Sequence, residues 1–308
     1  ISMIIPVYNE AENIPFLIKK LTDDLLPFNR SYEVIFIDDG SSDSTFTLLE
    51  HIQKEDERIR IIKFRKNYGK SLTLNTAFRN VKGEIVITMD GDLQDDSAEI
   101  GKFLGKIDEG YDLVCGWKYA RNDPLTKTAP SKVFNALTRW VTGIPLHDFN
   151  CGFKAYRREV INILHLYGEL HRYTPVLVNF YGFKITEIPV RHHPRKFGTS
   201  KYGFGRLFKG FLDLITIKFL TSYMSRPLHV FGIPGLVSSI IGLIIGVYLL
   251  ILKFTQNIAL SERPLLLLSI LLLLLGLQFL SLGLLGEMIT YRSKKEEDTD
   301  YFIERIVG

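Results

Sequence analysis

Two stretches without a single acidic or basic residue constrain this chain more than any other feature. Residues 227–252 contain no Asp, Glu, Lys or Arg, and neither do residues 264–286, where leucine dominates. Each run exceeds the roughly 20 residues needed to cross a bilayer. Helices of soluble proteins rarely stay apolar on every face; two buried helices of a soluble core are the alternative. Two such runs in succession predict a transmembrane hairpin of about residues 227–252 and 264–288. Arg206, Lys209, Lys218 and Arg226 precede it, and Arg292, Lys294 and Lys295 follow it; only Lys253 and Arg263 lie between the spans. The positive-inside rule then puts both ends of the hairpin, and with them both termini, on the cytoplasmic side of the cell membrane.

Residues 1–202 mix apolar and charged residues as a soluble domain does. The expected organisation is a cytoplasmic domain over 1–202, an amphipathic interface region over 203–226, two spans within 227–290 and a cytoplasmic tail over 291–308. The interface region rests on Leu207, Phe208, Phe211, Leu212, Leu214, Ile215, Phe219 and Leu220, interrupted by Lys209, Asp213 and Lys218. A packed amphipathic helix is the alternative there. The net charge of +4 offers no argument for nucleic acid. Cys115 and Cys151 have no metal-ligand spacing and suit a reduced compartment as packing residues. No secretory leader is read at the start of the sequence.

Short Ile- and Val-rich runs at 2–7, 32–38, 59–64, 84–89 and 184–190 read as strands. Helical apolar spacing fills 11–25, 44–57, 69–80, 127–141, 172–181 and 206–223. Strand–helix alternation of this kind predicts an α/β fold with a mostly parallel sheet and helices on both faces. Ligands of such sheets bind beyond the carboxyl ends of the strands. Three polar clusters fall there: Tyr8-Asn9-Glu10, Asp38-Asp39-Gly40-Ser41 and Asp90-Gly91-Asp92. Two carboxylates one residue apart after a buried strand suit Mg²⁺ or Mn²⁺, whose shell a substrate's phosphates complete. An Asp-Gly-Asp is also a common turn, so the three clusters together carry more than any one.

Ile5-Pro-Val-Tyr-Asn-Glu10, Asp38-Asp-Gly-Ser-Ser-Asp43, Asn67-Tyr-Gly-Lys70 and Asp90-Gly-Asp-Leu-Gln94 occur in this order. Together they resemble family-2 glycosyltransferases with the GT-A (Rossmann-like) fold. Asp148-Phe-Asn-Cys-Gly-Phe-Lys154 and Arg195-Lys-Phe-Gly-Thr-Ser-Lys201 resemble the branch that acts on polyprenyl phosphates. That branch includes dolichyl-phosphate mannose synthases and GtrB-type bactoprenol glucosyltransferases, and the two-span tail is most similar to the latter.

The resemblance implies a role for each matching residue. Pro6, Tyr8, Glu10, Asp39, Asn67, Lys70 and Asp90 surround the donor nucleotide, with Glu10 and Asp39 on its base and ribose. Asp90, Asp92 and Gln94 hold Mg²⁺ or Mn²⁺, with Asp92 binding directly. Arg195 and Lys201 clamp a phosphate; Lys118, Arg121 and Lys132 are further phosphate candidates, Lys118 standing where relatives often carry Arg. Asp148 is the acceptor-side carboxylate. It is read as a general base, or as an orienting or metal group, because a lipid phosphate is already largely dianionic. His171, Arg172 and Tyr173 either shape the sugar pocket or serve structure, and His192 and His193 read as loop residues.

The implied activity is inverting transfer of a sugar, with UDP-glucose the leading donor, to undecaprenyl phosphate in the bilayer. GDP-mannose and other UDP-sugars remain open, as does self-association. A processive polysaccharide synthase would carry Gln-x-x-Arg-Trp and more spans; Arg139-Trp140 is preceded by Asn135-Ala-Leu-Thr138, without the Gln. A non-catalytic assembly subunit would not need Asp90, Asp92 and Asp148.

Overall fold

The computed structural model describes residues 1–119, 125–194, 206–219, 221, 227–256 and 263–294. The first half alternates β1 (Ser2–Val7), α1 (Ile14–Leu25), β2 (Glu33–Asp38), α2 (Thr45–Glu55), β3 (Ile59–Lys63), α3 (Lys70–Phe78) and β4 (Ile85–Thr88). Next come α4 (Ile100–Asp108), β5 (Leu113–Lys118), α5 (Leu125–Thr142), β6 (Lys154–Arg157), α6 (Arg158–Ile163), α7 (Thr174–Phe180) and β7 (Ile185–Val190). The described chain ends in α8 (Arg206–Lys218), α9 (Pro227–Gln256) and α10 (Pro264–Lys294). It divides into two units, Ile1–Ile217 and Lys218–Gly308.

The first unit is built on a seven-stranded sheet of order β3-β2-β1-β4-β6-β5-β7. β1, β2, β3 and β4 run parallel, β7 runs parallel to β5, and β6 is antiparallel to both its neighbours. Side-chain alternation explains why both faces are covered. Ile4, Ile35, Ile37 and Val86 belong to one apolar core, while Met3, Ile5, Val34, Phe36 and Ile87 belong to another. Successive strand residues point to opposite faces, so runs apolar at every position require helices on both sides.

The expected strands and helices of the first half are present, with ends trimmed by one to three residues. Strands β5 and β6 were not expected. β6 begins at Lys154, which is 3% exposed, and such a lysine breaks the apolar pattern that marks a strand. α8 falls inside the expected interface segment. It sends Leu214 and Ile217 into the core of the first unit and leaves Leu212 and Ile215 about half exposed.

The second unit holds the expected hairpin. α9 and α10 are long and apolar enough to cross a membrane, and only 17% and 11% of their most apolar windows are buried within the protein. Their outward faces are therefore hydrocarbon. The helices approach closely where side chains vanish: a Cβ on Gly276 would lie 2.7 Å from the Gly235 carbonyl oxygen and 2.9 Å from the Ser239 nitrogen. Small residues serve this purpose in membrane helix pairs. Ser269 Oγ donates to the Gly242 carbonyl at 2.7 Å and Ser238 Oγ to the Leu272 carbonyl at 2.9 Å, so both hydroxyls are satisfied across the seam. Glu287 accepts the Leu228 N–H at 3.4 Å, one of the N–H groups that the first turn of α9 leaves without a helical partner. Gly276→Leu is expected to force the helices apart and destabilise the hairpin by about 1–3 kcal/mol. Thermal unfolding in detergent, compared with a substitution on the outward face such as Leu274→Ala, checks this.

Candidate active site

The carboxyl ends of β1, β2 and β4 and the start of α3 enclose one cleft. It is lined by Pro6, Val7, Tyr8, Glu10, Asp39, Lys70, Thr73, Asp90, Gly91 and Asp92. Parallel strands bring their ends to one edge of a sheet, so three clusters separated by up to 80 residues in sequence meet there. The structure thus brings together Pro6, Tyr8, Glu10, Asp39, Lys70, Asp90 and Asp92, seven of the residues selected from the sequence. Thr73, one turn into α3, was not selected; its only sequence signal is its position three residues after Lys70.

Asp39 fastens the end of β2 to the start of α3. Its two carboxylate oxygens accept the backbone N–H groups of Tyr68 at 2.7 Å and Gly69 at 2.9 Å. Burial pushes the Asp39 carboxyl above its ordinary value, only partly offset by those two N–H groups, and neighbouring Asp38 adds to the rise. Gly69 has φ +91°, a conformation that costs a residue with a Cβ and lets α3 begin abruptly at Lys70. Gly40, at φ +73°, packs so tightly against the backbone of Lys66 and Asn67 that a Cβ would come within 2.4 Å. The loop after β2 and the loop before α3 are therefore one layer. Asn67 itself is exposed and does not line the cleft.

The loop after β1 is tied to the same layer. Asn9 N–H donates to Ser41 Oγ at 2.9 Å, Asn9 Oδ1 accepts the Ser42 N–H at 2.8 Å, and Glu10 N–H donates to Thr45 Oγ1 at 2.9 Å. Glu10 Oε2 accepts from Asn13 Nδ2 at 2.5 Å, which sets the carboxylate at the cleft's edge.

Asp90 is ion-paired with Lys70 Nζ across the cleft. Above them lies Gly152, where a Cβ would sit 2.7 Å from Asp90 Oδ2 and 2.9 Å from Lys70 Nζ. The Gly152 carbonyl accepts from Thr88 Oγ1 at 2.7 Å, which pins this loop to the end of β4. Asp92 is 9% exposed, and its Oδ1 accepts the Gln94 N–H at 3.1 Å. Leu93 between them has φ +59°, a strained conformation for a bulky side chain. Such strain persists where surrounding structure holds it, often at functional sites.

The acceptor-side carboxylate expected from the sequence is deeply placed. Asp148 is 1% exposed, accepts the Asn150 N–H at 3.1 Å and lies 3.5 Å from Asn135 Nδ2. Asn135 in turn accepts the Phe149 N–H at 3.3 Å, so α5 and this loop hold each other. Lys154 Nζ donates to the Phe149 carbonyl at 3.2 Å; burial, reinforced by the charge of Lys70, lowers the pKa of its amine. His147 stacks on Trp117 at 4.1 Å, and both its backbone N–H and its ring Nδ1 meet the Glu187 carboxylate. Asn135 and Lys154 carry no motif of their own, and only packing reveals them. Burial pushes the Cys115 and Cys151 thiols up to about 12, which leaves them inert packing groups.

Gln94 does not line the cleft. Its Nε2 donates to the His193 carbonyl at 3.3 Å and lies 3.4 Å from His192 Nε2. His192 and His193 thereby clip the Asp92–Asp96 loop to the end of β7, reinforced by the His193 N–H donating to the Gln94 carbonyl at 2.8 Å. His171 Nδ1 lies 2.9 Å from Ser71 Oγ, which ties the turn before α7 to the start of α3, and Arg172 pairs with Glu169. Lys132 is exposed on α5. Arg121, Arg195 and Lys201 lie outside the described residues.

Lys118 is drawn inward. It forms an ion pair with fully buried Asp95 at 3.2 Å, its own side chain only 12% exposed. Desolvation opposes both charges, yet Lys118 and His192 outweigh it and hold the Asp95 carboxyl well below the usual range, while Asp95 raises the Lys118 amine. The carboxyl is depressed on folding, so its contribution is present above the unfolded value of about 4 and is lost as pH falls towards the folded one. Lys118→Met is expected to cost about 3–5 kcal/mol at pH 7, because Asp95 is then a buried, under-compensated charge. Thermal melts at pH 7 and pH 4 check the sign: the penalty must shrink at the lower pH.

Known proteins match this architecture. Residues 2–164 match the glycosyl transferase family 2 model. Dodecaprenyl-phosphate galacturonate synthase of Rhizobium johnstonii is 32% identical over 310 residues, covering 99% of this chain and 92% of that protein. Undecaprenyl-phosphate 4-deoxy-4-formamido-L-arabinose transferase of Salmonella typhimurium is 35% identical over 311 residues, covering 100% and 93%. Among solved structures, glucosyl-3-phosphoglycerate synthase from Mycobacterium tuberculosis with Mn²⁺, UDP and phosphoglyceric acid superposes with a TM-score of 0.50 at 18% identity, covering 71% of this chain and 77% of the other. A mannosyltransferase from Pyrobaculum calidifontis in complex with GDP-Man and Mn²⁺ gives 0.51 at 16% identity, covering 96% and 75%. The sheet, the cleft at its strand ends and the full-length relatives agree: this chain is a glycosyltransferase and belongs to glycosyl transferase family 2.

Proposed function

We propose that this protein transfers a sugar from a nucleoside-diphosphate donor to a polyprenyl phosphate, undecaprenyl phosphate in the first instance, at the cytoplasmic face of a membrane. The single observation that carries the reading is the pairing of one strand-end cleft, lined by Glu10, Asp39, Asp90 and Asp92, with two helices long and apolar enough to cross a bilayer. Both named relatives act, by their names, on polyprenyl phosphates, which supports the acceptor class. Glucose from UDP-glucose is the donor implied by the resemblance of the two-span tail to bactoprenol glucosyltransferases; the motifs themselves do not choose the sugar. Relatives named for galacturonate and for a formamido-arabinose favour a second reading, in which the sugar differs and the acceptor does not.

The donor set fits a divalent cation. Asp90 and Asp92 both line the cleft, and among the described residues no three His, Cys, Asp or Glu side chains form an all-protein cage. That suits Mg²⁺ or Mn²⁺, which takes one or two carboxylates and completes its shell with phosphate oxygens. Asp92, with Asp90 beside it, would hold the ion, while the Gln94 side chain from the same loop is engaged by His192 and His193. When bound, it neutralises the diphosphate as the nucleotide departs. Glu10 and Asp39 face the cleft as acceptors for ribose and base donors.

The nucleophile is the acceptor's own phosphate. Its second pKa near 6 leaves it largely dianionic at neutral pH, so attack needs no strong base. It attacks the anomeric carbon opposite the leaving nucleotide and inverts it, giving a β-linked lipid-phosphate sugar. Asp148, 1% exposed and held by Asn150 and Asn135, is suited to shaping the acceptor-side loop rather than to taking a proton. Arg195 and Lys201 are proposed to clamp phosphate, and Lys132 and Arg121 to draw in the acceptor.

A donor screen with purified protein, Mg²⁺ or Mn²⁺ and undecaprenyl phosphate tests the reading. It should include UDP-glucose, UDP-galacturonate, UDP-4-deoxy-4-formamido-L-arabinose, UDP-N-acetylglucosamine and GDP-mannose. Lipid-dependent nucleotide release with one of them is the expected result; release that ignores the lipid rejects the acceptor. Asp92→Asn is expected to abolish that release, and undiminished turnover would remove Asp92 from the metal role. Gly152→Ala drives a methyl into Asp90 and Lys70, and a misplacement of about 1 Å there should lower kcat/KM by about 10²-fold with little change in the melting temperature.

A further inference from the structure

The cleft has a lopsided charge. Among the described residues that line it, four are carboxylates, Glu10, Asp39, Asp90 and Asp92, and Lys70 is the one cation. That one amine is committed to Asp90, a carboxylate expected to help hold the metal ion. Neither side chain is deeply buried, at 26% and 33% exposure, so the pair sits at the cleft wall and not in the core.

The structure holds this amine in place from two directions. Asp39 takes the N–H groups of Tyr68 and Gly69, which fixes the backbone from which Lys70 springs. Thr88 Oγ1 anchors the Gly152 carbonyl, and Gly152 leaves just enough room for Nζ, since a Cβ there would lie 2.9 Å away. The pair is thus built by the surrounding chain, not a chance contact of two flexible side chains.

We infer that Lys70 is a resident counter-ion: it occupies Asp90 while the cleft is empty and passes to the donor's diphosphate when the nucleotide binds, freeing Asp90 for the metal ion. The inference rests on the metal site proposed above. A lysine ammonium on a four-carbon stem can swing between a carboxylate and a phosphate a few ångströms away. Each oxygen it leaves is one the cation can take. A divalent ion arriving without the nucleotide must displace a positive charge from one ligand, and one arriving with it finds both carboxylates available. Metal binding then follows nucleotide binding, and the coupling is reciprocal.

Mn²⁺ binding to the detergent-solubilised full chain, read from the electron paramagnetic resonance signal of free Mn²⁺ with and without UDP, tests this apart from activity. The wild type should bind Mn²⁺ weakly alone and markedly more tightly with UDP. Lys70→Met should bind Mn²⁺ without UDP about tenfold or more tightly than the wild type, with the UDP enhancement reduced, because a unit charge a few ångströms away is gone. Lys70→Arg, which keeps the cation, should retain wild-type dependence. Lys70→Gln repeats the test should Lys70→Met lower the melting temperature. Equal or weaker Mn²⁺ binding by the neutral variants, alongside normal UDP-dependent binding by the wild type, would overturn the counter-ion role and leave the metal site standing. No Mn²⁺ binding by the wild type even with UDP would overturn both.

Discussion

The two hydrogen bonds that Asp39 accepts from Tyr68 and Gly69 are the constraint on which the rest of the site depends. They fasten the end of β2 to the start of α3, so Lys70 can enter the cleft only from one direction. Backbone N–H groups at a helix start have no helical partner, and a carboxylate meets that need while losing much of its hydration. Burial in turn raises the Asp39 carboxyl, a cost that a core residue would avoid and a ligand-facing residue can carry.

A second layer of residues holds the loops that carry Asp92 and Asp148. Gln94, His192 and His193 bind the Asp92 loop to the end of β7, and Asp95 is neutralised beneath it by Lys118. On the other side, Asn135 and Lys154 secure the backbone around Asp148 and Phe149. A sugar-transfer site must hold groups on several loops to a fraction of an ångström, and loops alone do not do so; buried polar contacts beneath them do. The carboxylates line the cleft, and the groups that aim them are packed within the protein.

Much of the site was legible before folding because strand-end residues follow directly from strand assignment. Tyr8, Glu10, Asp39, Asp90 and Asp92 each follow an apolar run, and a parallel sheet gathers such ends on one edge. Lys118 shows the limit. A lysine near a polar cluster reads as a phosphate ligand, and only the fold reveals the buried Asp95 that engages it. Gln94 is similar: adjacent in sequence to Asp92, it turns to the β7 end, because the left-handed Leu93 reverses the chain between them. β6 is hard to read from sequence because its four residues begin at Lys154, and β5 because Gly116 and Lys118 break its apolar run.

The sequence by itself determined the class of sheet, the identity of the cleft carboxylates and the presence of two membrane-length helices, because each is a local pattern of apolar spacing or charge. The tertiary structure decided which cation meets which carboxylate. Lys70 pairs with Asp90 across 20 residues, Lys118 with Asp95 across 23, and Gly152 closes over the first pair from 62 residues beyond Asp90. Those partners are chosen by which strand ends and loops pack together, and hydrophobic burial on the two faces of the sheet sets that, not the charges themselves.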